Sequence, residues 1–293
     1  MALSRVTQNF VNGVFRPDMF SKNVLVPFYR EAMAPKITNS DYLGEITKGY
    51  GEKIFVRKRA AVSMKDGNIN DPVVWEDVLD EEVSFELSYL KHVAAKISKI
   101  DKANSDVDPW PGVIESIKED MKNVIDKAVI QGAYASAGET SDNNLSWQTA
   151  GNPAKDIALA RVKLDDNHVP KAGRFLLLDN LSLAYLTIED KLWADHSGMD
   201  KSAFITGQVG TLLGGIEVYS SDLITGSGTN GAEFNCYLGH RSAITLATKL
   251  QDIEFFPSLQ NFHSSAGVTG TLVFGYGVVR PEALVHFKVQ SAA

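Results

Sequence analysis

The chain has 293 residues, with Lys+Arg 29 against Asp+Glu 36 and a formal net charge of −7. Hydrophobic residues make up 44% and charged residues 22%, ordinary for a globular protein and too apolar for disorder over most of the chain. One cysteine, Cys236, excludes an internal disulfide framework and a thiolate-rich zinc site, and the acidic balance argues against tight sequence-independent DNA binding.

Residues 1–50 are rich in apolar side chains for a terminus. Phe10, Val11, Val14, Phe15, Met19, Phe20, Val24, Leu25, Val26, Phe28 and Tyr29 are scattered among Asn, Gly and Pro. Two readings stay open: a segment packed on its own domain, or an arm laid on a neighbouring subunit. Pro27 and Pro35 exclude a long helix, and Leu25–Met33 could form a short one. Val24–Val26 is too brief for a secretory signal, and runs such as Phe175–Leu178 fall far short of the roughly 20 residues a membrane-spanning helix needs.

A strand pattern follows over Lys53–Ser63, carrying the basic cluster Arg57, Lys58, Arg59. Asp66-Gly67 marks a turn. A second strand pattern runs from Val83 to Ile97, where Val83, Phe85, Leu87, Tyr89, Val93, Ala95 and Ile97 alternate with mostly polar residues and Lys91 is the exception. Between them lie the acids Glu76, Asp77, Asp80, Glu81 and Glu82. Together these predict an extended hairpin, which needs something to dock on because an isolated hairpin is marginal in water.

Residues 111–135 carry the strongest helical signal, with Ile114, Ile117, Met121, Val124, Ile125 and Ala128 on one face and Asp126 among the polar residues opposite. Pro111 suits a first turn. Such a helix spans roughly 37 Å, long for a compact domain. A polar linker at 139–155 precedes a short helix at Asp156–Leu164, a buried strand Phe175–Leu178, and a helix over Leu181–Ile188 capped by Asp179 or Asn180. Beyond about 201 the chain is β-rich and punctuated by glycine, with strands at Ile216–Ser220, Ala232–Gly239, Ser242–Ala247, Gly270–Gly277 and Leu284–Val289, and an exposed loop at Thr225–Gly231.

The search for chemistry is empty. His92, His168, His196, His240, His263 and His286 show no metal-binding spacing, and no Gly-x-Ser-x-Gly elbow occurs. Asp165-Asp166 and Glu81-Glu82 read as solvated acids, and Cys236, in an apolar β pattern, as an inert core thiol. Gly275-Tyr276-Gly277 leads into Arg280-Pro281 and makes no Rossmann turn, and Gly207–Gly215 lacks the Gly-Lys of a Walker loop. No catalytic, metal or cofactor site is expected. Parts that cannot bury themselves argue instead for obligate assembly, through interfaces of about 2,000 Å² or more.

The order of parts resembles the major capsid proteins of tailed bacteriophages, with the α+β HK97-like fold, over almost the whole chain. The motifs are the Val169-Pro170-Lys171-Ala172-Gly173-Arg174 turn before Phe175–Leu178, the run Gly207–Ser221 and the close at Gly275–Ala283. The resemblance implies an N-terminal arm at 1–50, an extended E-loop hairpin with flanking strands at 51–98, and a peripheral domain at 99–170 with its spine helix at about 111–135. It further implies a β-rich axial domain at 171–268 and a return strand to the peripheral domain at 269–293.

It also implies a virion structural protein without enzymatic activity, assembled in the host cytoplasm. Pentamers and hexamers would close into an icosahedral head, holding double-stranded DNA without binding it specifically. The alternative within the same fold is an encapsulin-like nanocompartment enclosing protein cargo. Implied partners are further copies of the chain, a separate scaffolding protein (the arm is too short to hold one), a portal and a decoration protein. Candidate inter-subunit contacts are Phe10, Phe15, Phe20, Arg57, Lys58, Arg59, Trp75, Glu76 and Asp77, the basic trio standing equally well as a solvated strand edge.

Overall fold

The structure is a computed structural model that describes residues 29–45, 50–58, 62, 64, 66, 75, 81–104, 108–141, 145–147, 152–188, 208–212, 215–224, 226–227, 233–259 and 265–290. Its described strands form three sheets.

The smallest sheet is the base of the hairpin. Strand β1 (Lys53–Lys58) pairs antiparallel with β2 (Glu81–Glu86), with Lys53 opposite Glu86 and Lys58 opposite Glu81. The period-two run predicted over 83–97 keeps its alternation but is two strands. β2 ends at Glu86, and β3 (Tyr89–Ser98) leaves to pair with a different sheet. The break at Leu87 and Ser88 has a tertiary cause. A Cβ on Gly275 would stand 2.4 Å from the Glu86 carbonyl oxygen, and one on Gly277 would stand 2.5 Å from the Phe85 Cβ, so the two glycines let β2 cross closely over the strand that carries them. Gly275-Tyr276-Gly277 is thus a packing device. Of the strand predicted over Lys53–Ser63, β1 shows Lys53–Lys58, and 59–61 and 63 lie outside the described residues.

The second sheet has the order β11-β12-β3, with β11 (Ile244–Phe256) and β12 (Ser265–Val278) far longer than the runs predicted there. A bulge between Gln251 and Ile253 interrupts their pairing. Helix α2 (Lys99–Asn104) follows β3 directly, and α3 (Trp110–Gly132) lies on this sheet, close to the predicted 111–135. Trp110 and Ile117 pack with Ala266 and Val268, joined by Val93, Ala95, Ile97, Val113, Met121 and Ile253. The inward positions of β3 are therefore those the alternation marks.

The third and largest sheet has the order β4-β13-β10-β6-β8-β7. Its strands are β4 (Glu139–Thr140), β5 (Leu145–Ser146), β6 (Arg174–Leu178), β7 (Gln208–Leu212), β8 (Ile216–Ser220), β9 (Gly226–Ser227), β10 (Glu233–His240) and β13 (Leu284–Gln290), with β5 on β13 and β9 on β10. All five residues of β6 are buried, as expected for a central strand paired parallel to β8. Around it pack the C-terminal end of α3 through Val129 and Ile130, α4 (Pro153–Asp166) through Ile157, Ala160 and Leu164, and α5 (Asn180–Ile188) through Leu186. The Asp179 carboxylate caps α5 by accepting from the Leu181 N–H at 2.9 Å. Helix α3 thus spans two cores, its first half on the three-stranded sheet and its last turns in the large one. The expected boundary between residues 268 and 269 falls inside β12, and β13 joins β10 in the large sheet.

Residues 29–33 are not helical; the short helix here is α1 (Ala34–Ile37), with Pro35 in its first turn. This segment is tied to α3. Met33 N–H and Ala34 N–H donate to the two oxygens of Asp126 at 2.7 and 3.0 Å.

Candidate assembly surfaces

The expected contact residues divide by place. Arg57 and Lys58 lie on β1 near the far end of the hairpin base, where the register sets them opposite Glu82 and Glu81. Arg57 and Glu82 are therefore cross-strand neighbours in one hairpin, and opposite charges so placed contribute about 0.2–1 kcal/mol. Lys58 also has an ion-pair partner in its own chain, Glu282, at 3.6 Å. Trp75 is 89% exposed. Phe10, Phe15, Phe20, Arg59, Glu76 and Asp77 lie outside the described residues.

At the foot of the hairpin a cleft of about 340 Å³ is lined by Tyr42, Val56, Arg57, Lys58, Arg280 and Glu282 among others. The outer face of β1 carries exposed Phe55, an apolar side chain between Lys53 and Arg57. Two further exposed apolar groups escape the sequence reading. On α4, Leu159 and Val162 are half exposed and one helical turn apart. At the far end of the three-stranded sheet, Phe255 and Phe256 stand exposed before Pro257. The Phe255 ring packs edge-on against Trp110, with centroids 5.1 Å apart. Adjacent aromatics before a proline were the available signal, but the strand was expected to stop at Ala247.

Buried polar groups explain the rest of the site chemistry as structural. Arg174 is 1% exposed. Its Nε donates to the Pro170 carbonyl at 2.9 Å and its Nη2 to Asp165 at 2.7 Å. The hydrogen bond from Arg174 holds the Asp165 carboxyl below the usual carboxylate range. Gly173, at φ +81°, makes the left-handed turn that places this arginine. His240 Nε2–H donates to the Ala172 carbonyl at 2.9 Å, and its Nδ1 accepts from the Ser242 N–H at 3.1 Å. Burial lowers the His240 pKa, with nearby arginines acting in the same direction. His286 is buried against Asn235, and burial lowers its pKa as well. Cys236 is fully buried on β10, and burial with the neighbouring Asp179 charge pushes its thiol up, away from reactivity.

Asp126, expected on the polar face of the long helix, is instead buried on it. Burial raises its pKa, against the two backbone N–H groups and the Arg30 charge. Among the described residues no group of three or more His, Cys, Asp or Glu could hold a metal ion, and no helix is long and apolar enough to cross a membrane.

No protein-family model matches the sequence, and no curated protein matches it. Solved structures do. A chain from Mycobacterium phage Che8 is 20% identical with a TM-score of 0.76, covering 94% of this chain and 97% of that one. A capsid chain of cyanophage P-SCSP1u is 15% identical with a TM-score of 0.71, covering 94% and 93%. A chain from the mature capsid of bacteriophage PhiM1 is 13% identical with a TM-score of 0.66, covering 95% and 93%. At these identities the likeness is one of fold, and the fold is that of phage capsid chains.

Proposed function

We propose that this chain is a bacteriophage major capsid protein, a structural subunit and not an enzyme, whose copies form pentamers and hexamers that close into an icosahedral head around double-stranded DNA. The observation that carries this reading is the extent of the fold match. It takes in about 94% of the chain and nearly all of each matched chain. In this reading the β1–β2 hairpin is the base of the extended loop, α3 is the spine helix beside the peripheral three-stranded sheet, and the large sheet forms the axial core. The aromatics Phe10, Phe15 and Phe20 of the arm lie on a neighbouring copy. Arg57, Arg59, Trp75, Glu76 and Asp77 lie along the hairpin at contacts between copies, with Lys58 shared between such a contact and its own Glu282. The net charge of −7 suits a wall that encloses DNA without gripping it. A separate scaffolding protein, a portal and a decoration protein complete the expected partners.

Negative-stain imaging of the purified chain, produced with and without its neighbouring genes and assayed for nucleic acid, tests the reading. Large closed shells that depend on a scaffold and hold DNA are expected. Small shells formed by the chain alone around protein would favour a nanocompartment. Monomers under every condition would overturn both.

A further inference from the structure

The cleft at the foot of the hairpin carries charge that the fold does not neutralise. Its volume of about 340 Å³ lies at the lower end of the range for small-molecule sites. Arg57 and Lys58 line it from the end of β1, and Arg280 and Glu282 from the turn after β12. Three cations thus share the cleft with one carboxylate, in a chain whose formal net charge is −7. That carboxylate already has Lys58 as its partner. Glu82 stands opposite Arg57 in the hairpin register but does not line the cleft. Among the described residues neither Arg57 nor Arg280 has an ion-pair partner within 4 Å. The backbone beneath them is fixed. Val56 pairs with Val83 across the hairpin, and the Val279 N–H donates to the Ala243 carbonyl at 2.9 Å. These three valines and Tyr42 supply apolar lining, and charge beside apolar walls is screened less than charge on open surface.

A guanidinium presents a planar fork of N–H donors that matches phosphate or carboxylate oxygens. Two such forks and a tyrosine hydroxyl suit a group with three acceptor oxygens, and the local excess of two positive charges suits a dianion. A phosphate monoester has both, whereas a single carboxylate offers two oxygens and one charge. We propose that this cleft is a phosphate-binding site, in which Arg57 and Arg280 hold the phosphoryl oxygens and Tyr42 and the valines lie against the rest of the ligand. One chain builds all of it, so the site exists in the unassembled subunit and stands or falls apart from the capsid reading. The same chemistry has two sources, a free phosphate compound and a nucleic-acid backbone.

Isothermal titration calorimetry of the full-length, unassembled chain at fixed ionic strength tests it, with phenyl phosphate as the probe and benzoate as the single-carboxylate comparison. Phenyl phosphate is expected to bind the parent saturably, and an R57Q/R280Q variant at least about tenfold more weakly, since each arginine contributes charge-assisted hydrogen bonds. R280K, which keeps the charge and loses the fork, is expected to fall between the two. K53Q, on the same strand but outside the cleft, is expected to match the parent. Circular dichroism and melting temperature of each variant establish that it is folded. A short DNA duplex that phenyl phosphate displaces would assign the site to a backbone phosphate. Phenyl phosphate binding without duplex binding would assign it to a free compound. No binding of phenyl phosphate to the parent, equal affinity in R57Q/R280Q, an equal loss in K53Q, or benzoate bound as tightly as phenyl phosphate overturns the proposal.

Discussion

At Gly275 a Cβ would stand 2.4 Å from the Glu86 carbonyl oxygen and 2.8 Å from the Leu87 Cα. Both are backbone atoms of a segment packed among Ile54, Phe85, Val273 and Val279, so neither can swing aside. Gly132 makes the useful contrast: its hypothetical Cβ would collide with the Tyr276 hydroxyl, the far end of a side chain that borders an open cleft. Gly275→Ala is therefore expected to destabilise by about 1–3 kcal/mol, and Gly132→Ala by less, as read from urea unfolding midpoints. The Asp126 carboxylate presents a different residue-scale case. Its two oxygens serve two backbone N–H groups that have no alternative partner within α1, the first N–H groups of a helix being unpaired by construction. Asp126→Ala strands both in a buried site, at about 1–3 kcal/mol for each donor. The accompanying sign is that residues 29–38 lose their hydrogen-exchange protection before the rest of the fold does.

At the scale of elements, the turn that joins β10 to β11 is held by His240, which bridges Ala172 and Ser242, while His286 sits inside β13 beside β10. Both imidazoles have a pKa lowered by burial. The folded state then binds fewer protons than the unfolded one. The stability these groups contribute is fully present above the unfolded histidine value of about 6.5 and is lost as pH falls through their lower folded values. Asp165, held down by Arg174, adds a loss in the same direction at lower pH, below the ordinary carboxylate range. The melting temperature is expected to fall between pH 7 and pH 5, and an H240Q/H286Q variant to show a flatter profile across that interval. A parent profile that rises on acidification would sink the assignment.

Elements also show what could be read from the sequence. The alternation from Val83 to Ile97 is legible because in both strands every second residue but Lys91 is more sheltered than the residues between, and α3 is legible because its apolar residues recur at helical spacing. The division at Leu87 is not legible, since its cause is the approach of Gly275 from nearly two hundred residues away. Nor is Asp126, whose partners lie 92 and 93 residues off. The extension of β11 past Ala247 runs through Lys249, Gln251, Asp252 and Glu254, a polar stretch made into a strand by pairing with β12 across a bulge. With it went any view of Phe255 and Phe256. The cross-strand meeting of Arg57 with Glu82 depends on register, which residue types alone do not set.

For the molecule as a whole, the proposed shell would have folding and assembly draw on different side chains. The fold rests on the large core around β6 and β10 and the two smaller clusters beside α3 and the hairpin, and among the described residues Met33 is the first that belongs to any of these. Phe55, Trp75, Leu159 and Val162 remain exposed after folding. In a shell each contact is repeated over many copies, so a modest loss per contact is multiplied into failure of closure while the single subunit is untouched. An F10S/F15S/F20S variant should therefore keep the parent's circular dichroism and melting temperature as an unassembled subunit. Under conditions where the parent gives closed shells, the variant should give free capsomers or open sheets by negative stain. Closed shells from the variant would show that the arm's aromatics are dispensable for assembly. A lowered melting temperature of the isolated subunit would show that they belong to the subunit's own packing. The two results separate an arm that joins neighbours from a segment that completes its own domain.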